Sequence, residues 1–261
     1  MRILFIGDIV GKTGRKGLSR YLPELIKTRD IDFTIANGEN AAGGAGITHS
    51  VFKELRSLGI DVITSGNHIW DQKDIFNFID HEPRMLRPAN YPVKTTPGRG
   101  SVLIKTGNGG PQVAVLNLMG RVFMKNVDCP FRALDRELPA LKEKTELIIV
   151  DFHAEATSEK QAVGWYLDGR VSAVVGTHSH VQTADQRILP SGTAYISDAG
   201  MVGLYDSILG VDREGPLKRF LTQMPHRLSI SDGKTVFNAL IVDLAEKTGK
   251  AMAVERIYEI I

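Results

Sequence analysis

The sequence predicts an α/β fold built around a parallel sheet, with ligand-binding groups gathered along one sheet edge. Two observations predict it. The first is that five short apolar runs each end on a residue able to bind a metal, usually just after a glycine. RILFI leads to Gly7-Asp8, FTIA to Gly38-Glu39-Asn40, and DVITS to Gly66-Asn67-His68. LIIV leads to Asp151-Phe152-His153, and SAVV to Gly176-Thr177-His178-Ser179-His180. The second is that such runs alternate with helical periodicity over the first ninety residues, as expected when helices connect parallel strands. Ligand sites in open α/β sheets lie at the carboxyl ends of strands. Eight candidate groups at one edge therefore point to a metal site.

Taken in order, Ile3 to Ile6 is the first strand. Leu18, Tyr21, Leu22, Leu25 and Ile26 then fall at i, i+3, i+4, i+7 and i+8, one face of a helix. Pro23 inside that pattern costs about 3 kcal/mol in a helix interior and predicts a kink or restart. Val51, Phe52, Leu55 and Leu58 mark a second, shorter helix stopped at Gly59. A third is expected over Asp71 to Ile79, with Ile75, Phe76 and Ile79 turned inward. Residues 88–112 carry Pro88, Pro92, Pro97 and several glycines, and read as loops around a short strand from Ser101 to Lys105. Gln112 to Leu118 is a strong strand and Asp135 to Lys144 a helix. Further strands are expected near Ala194 to Ser197, Val236 to Leu244 and Ala251 to Tyr258, with a hairpin closing at Gly249. No repeat, low-complexity tract or linker divides the chain, so residues 1–261 read as a single domain with two face-to-face sheets and helices outside.

Composition narrows the function classes. With 43% apolar residues the chain can build a sizeable core, and its charges nearly cancel at a net +2. No dense Lys/Arg block is present, so no stable nucleic-acid complex is expected. Cys129 is the sole cysteine, which excludes an internal disulfide and favours a reducing compartment; it reads as a small buried or loop residue. Met1 runs directly into an apolar strand too short for a signal-peptide core, and no run approaches the ~20 apolar residues of a membrane span. A cytoplasmic protein with no membrane partner is the expectation.

Imidazole suits zinc, iron and manganese, while carboxylate and amide oxygens suit harder ions. Asp8, Glu39, Asn40, Asn67, His153, His178 and His180 offer donors enough for two ions, and more than one four-coordinate zinc needs. A carboxylate such as Glu39 can bridge ions ~3.5–4 Å apart, the spacing of two-metal hydrolytic sites. Two carboxylates offset only half the charge of two divalent ions, so the site stays positive and favours an anionic substrate such as a phosphate ester. His68 follows Asn67 at a helix start and reads as a general acid or phosphate-stabilising group. His49, His81 and His226 read as ordinary histidines, although His49 follows a Gly-rich loop that can border the pocket. Ser197 to Gly203 reads equally as a substrate-facing loop or an ordinary turn, and Gly43 to Gly46 equally as a phosphate-admitting or merely flexible loop. Lys12 and Arg15 read as solvated surface charge.

Gly66-Asn67-His68 and Gly176-Thr177-His178-Ser179-His180 resemble the GNH and GH-x-H blocks of the calcineurin-like metallophosphoesterases. Together with Gly7-Asp8-Ile9-Val10-Gly11-Lys12, Gly14-Arg15 and Asn37-Gly38-Glu39-Asn40-Ala41, the ordered set resembles the YmdB-like branch of bacterial cyclic-nucleotide phosphodiesterases over most of the chain. Val10 stands where the broad superfamily has a histidine, and Glu39 where it has a bridging aspartate. The YmdB-like branch is similar to this chain at both points. The resemblance implies a four-layer α/β/β/α sandwich of two packed mixed sheets. It also implies one ion held by Asp8, Glu39, Asn40 and His180, and a second by Glu39, Asn67, His153 and His178, with His68 catalytic. The ions it implies are divalent or mixed-valence, iron or manganese ahead of zinc or magnesium, in a chain that forms a homo-oligomer. The expected activity is hydrolysis of small phosphodiesters, 2′,3′- or 3′,5′-cyclic nucleotides, by a metal-bridging hydroxide with His68 assisting the leaving group.

Three other readings compete. Gly7-x-x-x-Gly11-Lys12-Thr13 lies between a strand and a helix like a nucleotide-binding P-loop, but has three residues between its glycines where that motif has four. A metal-binding regulatory protein acting through partners is a second reading, and a phosphomonoesterase sharing the GH-x-H block is a third.

Overall fold

Alternation along the first strand, β1 (Arg2–Ile6), sets the layering. Ile3 and Phe5 point into one buried cluster, Leu4 and Ile6 into another. A computed structural model of the protein describes residues 1–92, 95–107 and 109–261. After β1 the chain runs through β2 (Asp8–Ile9), α1 (Gly11–Thr28), β3 (Phe33–Asn37), α2 (His49–Ser57) and β4 (Val62–Thr64). A 3₁₀ turn (Lys73–Asn77) leads to β5 (Ser101–Lys105), β6 (Gln112–Met119), α3 (Pro130–Lys142), β7 (Ile148–His153), α4 (Thr157–Leu167) and β8 (Ala173–Thr177). The remaining elements are β9 (Arg187–Ile188), β10 (Ala194–Ile196), β11 (Met201–Leu204), α5 (Glu214–Thr222), β12 (Thr235–Leu244) and β13 (Ala251–Ile260).

Among the described residues the strands form two mixed sheets. One has seven strands, ordered β2-β11-β12-β1-β3-β4, with β13 antiparallel to β12. The other has six, ordered β5-β6-β7-β8-β10-β9. β1, β3 and β4 run parallel, as do β6, β7, β8 and β10. Between the sheets, Ile3, Phe5, Phe33 and Ile35 pack with Val115, Ile149, Val175 and Ile196. Leu18 and Leu22 of α1 and Val51, Phe52 and Leu55 of α2 cover the outer face of the first sheet. Leu134 and Leu138 of α3, with Val163 and Leu167 of α4, cover that of the second. Each such fully buried side chain contributes about 1.5–3 kcal/mol. Four layers result, helix on sheet on sheet on helix, as expected.

Several expectations at the element level need correction. The third helix is only the 3₁₀ turn, and Phe76 points outward, 55% exposed and stacked on Trp70 at 5.3 Å. The tighter repeat of a 3₁₀ turn brings Ile75 and Phe78 to the same buried side instead. α1 continues through Pro23, which lies on its exposed face where water can bond the Ser19 carbonyl left without an N–H. α3 starts earlier than expected, with Pro130 in its first turn, where the missing N–H costs nothing. α4 and α5 were not expected: α4 buries a lysine in its inner face, which blurs its apolar stripe, and α5 carries Leu217, Phe220 and Leu221 at i, i+3 and i+4 yet leaves all three exposed. The loop reading of residues 88–112 includes positions 93, 94 and 108, which lie outside the described residues. No helix among the described residues is long and apolar enough to cross a membrane.

Candidate metal centre

Parallel strands from both sheets end at one edge and deliver the polar residues there. β1 and β2 bring Asp8, β3 brings Glu39 and Asn40, and β4 brings Asn67 and His68 from the first sheet. β7 ends on His153, paired in register with Thr177 of β8, which is followed by His178 and His180. Gly66 permits the approach of the two sheets: a Cβ there would fall 2.1 Å from the His153 ring.

Hydrogen-bond partners assign a neutral-ring tautomer to His153, His178 and His180. Thr177 Oγ1 donates to Asp151 Oδ1 at 2.7 Å, so it can only accept from His153 Nδ1–H, 3.0 Å away. In the neutral ring that a cation would require, His153 Nε2 therefore presents a lone pair. His178 Nε2 lies 3.0 Å from Glu155 Oε2 and carries its proton there, leaving a lone pair on Nδ1. His180 Nδ1–H donates to the Leu209 carbonyl at 2.9 Å, which leaves its Nε2 free as an acceptor.

Three acceptors converge on His153 Nε2: Asn67 Oδ1 and His178 Nδ1 at 3.0 Å, and Glu39 Oε1 at 3.1 Å. Donor atoms of Glu39, His153 and His178 all lie within 4.8 Å of one another. Four lone pairs facing each other in a buried place repel unless a cation sits among them. Nearby, Asp8 Oδ1 is buried with no hydrogen-bond partner among the described residues, 3.8 Å from His180 Nε2 and 3.9 Å from His153 Nδ1. The Asn40 amide nitrogen lies 3.1 Å from His180 Nε2 and 3.2 Å from Glu39 Oε1; turning the amide over presents its oxygen at the same point. The donors are imidazole, carboxylate and amide, and their convergence fits metal ions.

The titration behaviour has the same origin. Burial alone would lower the His153 pKa, but the adjacent Glu39 carboxylate overrides it, with Asp8 and Asp151 adding, and raises it to about 9. Burial likewise pushes Glu39 up, and the His153 charge and hydrogen bond bring it down to about 2. Burial raises Asp8 to about 6 against the pull of His180 and His153. Burial and the His153 charge lower His178 to about 3. A proton on His153 thus supplies the positive charge that the surrounding acceptors demand.

His68 is held at both ends. Its backbone N–H donates to Glu39 Oε2 at 3.0 Å, and its Nδ1 is 2.6 Å from Asp71 Oδ2. Asp71 is a partner of this candidate residue that the sequence reading missed, although a carboxylate three positions after the histidine was the available signal. Glu39, Asn40, His68, His178 and His180 line a cleft of about 870 Å³. Its opposite wall comes from Ile208, Leu209, Pro216, Phe220, Met224 and Leu228, in and around α5. Phe220 is 73% exposed there.

All eight sequence-selected residues meet at this edge, and the secondary candidates separate clearly. Gly44 lines the cleft, so the Gly43–Gly46 loop borders the site. Ser197, Asp198, Ala199 and Gly200 are buried, which rules out a substrate-facing role for that part of the segment. Arg15 bonds Glu54 and the Ala41 carbonyl. His49 stacks on Phe78 at 4.8 Å and lies near Glu82, as an ordinary packed histidine.

A family model described as YmdB-like protein matches residues 4–257. The chain belongs to the YmdB-like family. It is 52% identical over 257 residues to a 2′,3′-cyclic-nucleotide 2′-phosphodiesterase of Bacillus subtilis (strain 168), covering 98% of this chain and 96% of that protein. A solved structure of a hypothetical protein from Thermus thermophilus superposes with a TM-score of 0.92 at 42% identity, covering 100% of this chain and 99% of that one. A phosphatase structure from Mycoplasma pneumoniae gives 0.93 at 32% identity, covering 100% and 93%. A solved structure from Staphylococcus aureus, at 17% identity and a TM-score of 0.62, covers 99% of this chain and 54% of that one and shares the fold. The calcineurin-like metallophosphoesterase fold expected of a YmdB-like chain is borne out, and the P-loop reading falls with it.

Proposed function

We propose that this YmdB-like protein is a metal-dependent phosphodiesterase acting on small phosphodiesters, with 2′,3′- or 3′,5′-cyclic nucleotides as substrates. The convergence of Glu39, Asn67 and His178 on the His153 Nε2 lone pair carries the reading. The name of the Bacillus relative supports the substrate class. Asp8, Glu39, Asn40 and His180 would hold one ion, and Glu39, Asn67, His153 and His178 the other. Membership of the YmdB-like family implies iron or manganese ahead of zinc or magnesium, and the nitrogen and oxygen donors are compatible with either. When bound, the ions supply Lewis-acid polarisation of the phosphoryl group and acidification of water at neutral pH.

The chain's own groups do the rest. Glu155, Thr177 and the Leu209 carbonyl fix three imidazoles in their ligand tautomers, as outer partners of metal sites do. Opening a 2′,3′-cyclic phosphate adds water across the P–O2′ bond, and O2′ must gain a proton as that bond breaks. His68 lines the cleft with its Nδ1 beside Asp71, which supports its Nε2 as the group that would deliver it. The apolar wall of Phe220, Met224 and Leu209 offers a face for the nucleoside, across the cleft from the charged edge. Residues 1–261 act in this scheme as one catalytic domain.

The deciding experiment uses chelator-stripped protein with bis-p-nitrophenyl phosphate, p-nitrophenyl phosphate and the cyclic nucleotides, with and without Mn²⁺. Diester cleavage that returns with Mn²⁺ supports the proposal. Monoester cleavage alone would replace it with a phosphatase, the activity named for the Mycoplasma relative. Silence on every substrate with metal bound would favour a regulatory protein.

A further inference from the structure

We propose that the buried Lys160–Asp198 ion pair is a positioning device for His178 and His180, and through them sets the affinity of the centre for metal; the proposal rests on the metal reading above. Lys160 Nζ lies 2.6 Å from Asp198 Oδ2, with the two side chains only 2% and 1% exposed. Burying two charges is costly, and apolar residues of similar volume often serve stability as well or better. Such a pair calls for a reason beyond packing.

The reason lies in what Asp198 holds. Its Oδ2 accepts the backbone N–H of Ser179 at 3.0 Å, and its Oδ1 accepts that of Gly200 at 2.9 Å. Ser179 is the residue between the two histidines. His178 and His180 both occupy the left-handed region, at φ +100° and +62°, a costly conformation for a residue with a side chain. The preceding N–H, that of His178, donates to Asp8 Oδ2 at 3.1 Å. Two successive backbone N–H groups are thus each held by a different buried carboxylate. Without the Asp198 anchor the loop can relax toward ordinary dihedrals, carrying His178 Nδ1 away from His153 and His180 Nε2 away from Asp8.

The same turn ties in the other sheet. The Gly200 carbonyl accepts the N–H of Asp8 at 2.9 Å, and the Ala199 N–H donates to the Gly176 carbonyl at 2.8 Å. Gly176 must be a glycine, because a Cβ there would fall 1.8 Å from the Ser197 carbonyl oxygen. The Ser197–Gly200 turn therefore fixes Asp8 on one side and the histidine loop on the other as one rigid unit. Lys160, reaching in from α4, supplies the charge that allows the carboxylate at its centre to stay buried. This accounts for the Ser197-Asp198-Ala199-Gly200 segment, which faces protein and not substrate.

The test measures Mn²⁺ dissociation constants by chelator competition, well below every melting temperature. Lys160→Met with Asp198→Leu removes both charges, so no lone buried ion remains to unfold the chain. Leu138→Ala, in α3 of the same outer layer as α4 but with no bond to the Asp198 turn, serves as a control for general destabilisation. The double variant is expected to bind Mn²⁺ at least tenfold more weakly than wild type, while Leu138→Ala stays within about twofold; changes in outer partners of metal ligands commonly cost 10–100-fold. Lys160→Met with Asp198→Asn, which restores an acceptor for the Ser179 N–H, should bind more tightly than the leucine pair. Affinity in the leucine pair equal to wild type, or a loss no larger than that of Leu138→Ala, overturns the proposal. Wild-type protein that binds no Mn²⁺ would instead overturn the metal reading itself.

Discussion

Glu39→Gln is the sharpest perturbation of the centre, because it removes one of two carboxylates while changing little else. The amide oxygen can still accept the His68 N–H that Glu39 Oε2 accepts at 3.0 Å, so the local backbone keeps its anchor. What is lost is charge. Donor atoms of Glu39, His153 and His178 lie within 4.8 Å of one another, so a cation among them sits within a few ångströms of the carboxylate. Unit charges 4 Å apart at an effective dielectric of ~20 interact by about 4 kcal/mol, and a divalent ion doubles the product of charges. Since about 1.4 kcal/mol is a factor of ten, the resulting ~8 kcal/mol sets an upper bound of roughly five to six orders of magnitude; with the amide oxygen still able to coordinate, Mn²⁺ affinity should fall by roughly three orders or more. Chelator competition with Mn²⁺ measures it directly, and a thermal melt of the stripped protein checks that the fold survives. A dissociation constant within threefold of wild type, in a folded variant, would refute the placement of Glu39 at the metal centre.

Other predictions follow from the same geometry. Because the metal-free His153 is raised to about 9 and Asp8 to about 6, metal must displace a proton from His153 below pH ~9 and from Asp8 as well below pH ~6. Apparent Mn²⁺ affinity should then rise about tenfold per pH unit between 6 and 9 and level off above, more steeply below 6; an affinity flat across this range would contradict the ligand role of His153. His68→Ala should cut kcat by roughly 10²–10⁴-fold, the range of general acid–base catalysis, with bound metal unchanged by elemental analysis; near-wild-type turnover would remove His68 from the mechanism. Phe220→Ala should raise KM for cyclic nucleotides by about fivefold or more, as expected for loss of base stacking worth ~1–3 kcal/mol, and leave kcat within twofold. Gly66→Ala should destabilise the protein by about 1–3 kcal/mol or more and weaken metal binding, since its Cβ would fall 2.1 Å from the His153 ring; an unchanged melting temperature would show that the ring can move aside.

Much of the centre was legible in the sequence because a parallel strand announces its own end. Apolar runs closing on glycine and a polar residue located Asp8, Glu39, Asn67, His153 and His178 without knowledge of which strands are neighbours, and the ordered blocks assigned the family. Helical periodicity located α1 and α2 for the same reason: it is a local signal. Local signals failed where local pattern and final packing differ. Phe76 fits an inward helical position yet lies outside, since the segment tightens into a 3₁₀ turn. α4 hides a charge on its inner face, so its pattern is blurred.

Tertiary structure alone decided the partners. The Asp8 carboxylate meets the His178 N–H across 170 positions, and Asp198 reaches Lys160 across 38 and Ser179 across 19. No periodicity encodes such distances, because they depend on the order of strands within two sheets and on how the sheets face each other. Histidine tautomers, the orphaned Asp8 oxygen and the apolar wall opposite the metal edge emerge only once those sheets are stacked. The sequence by itself determined which groups stand at the strand ends. Packing determined which lone pairs face one another, and that choice turns a row of polar residues into a place for a cation.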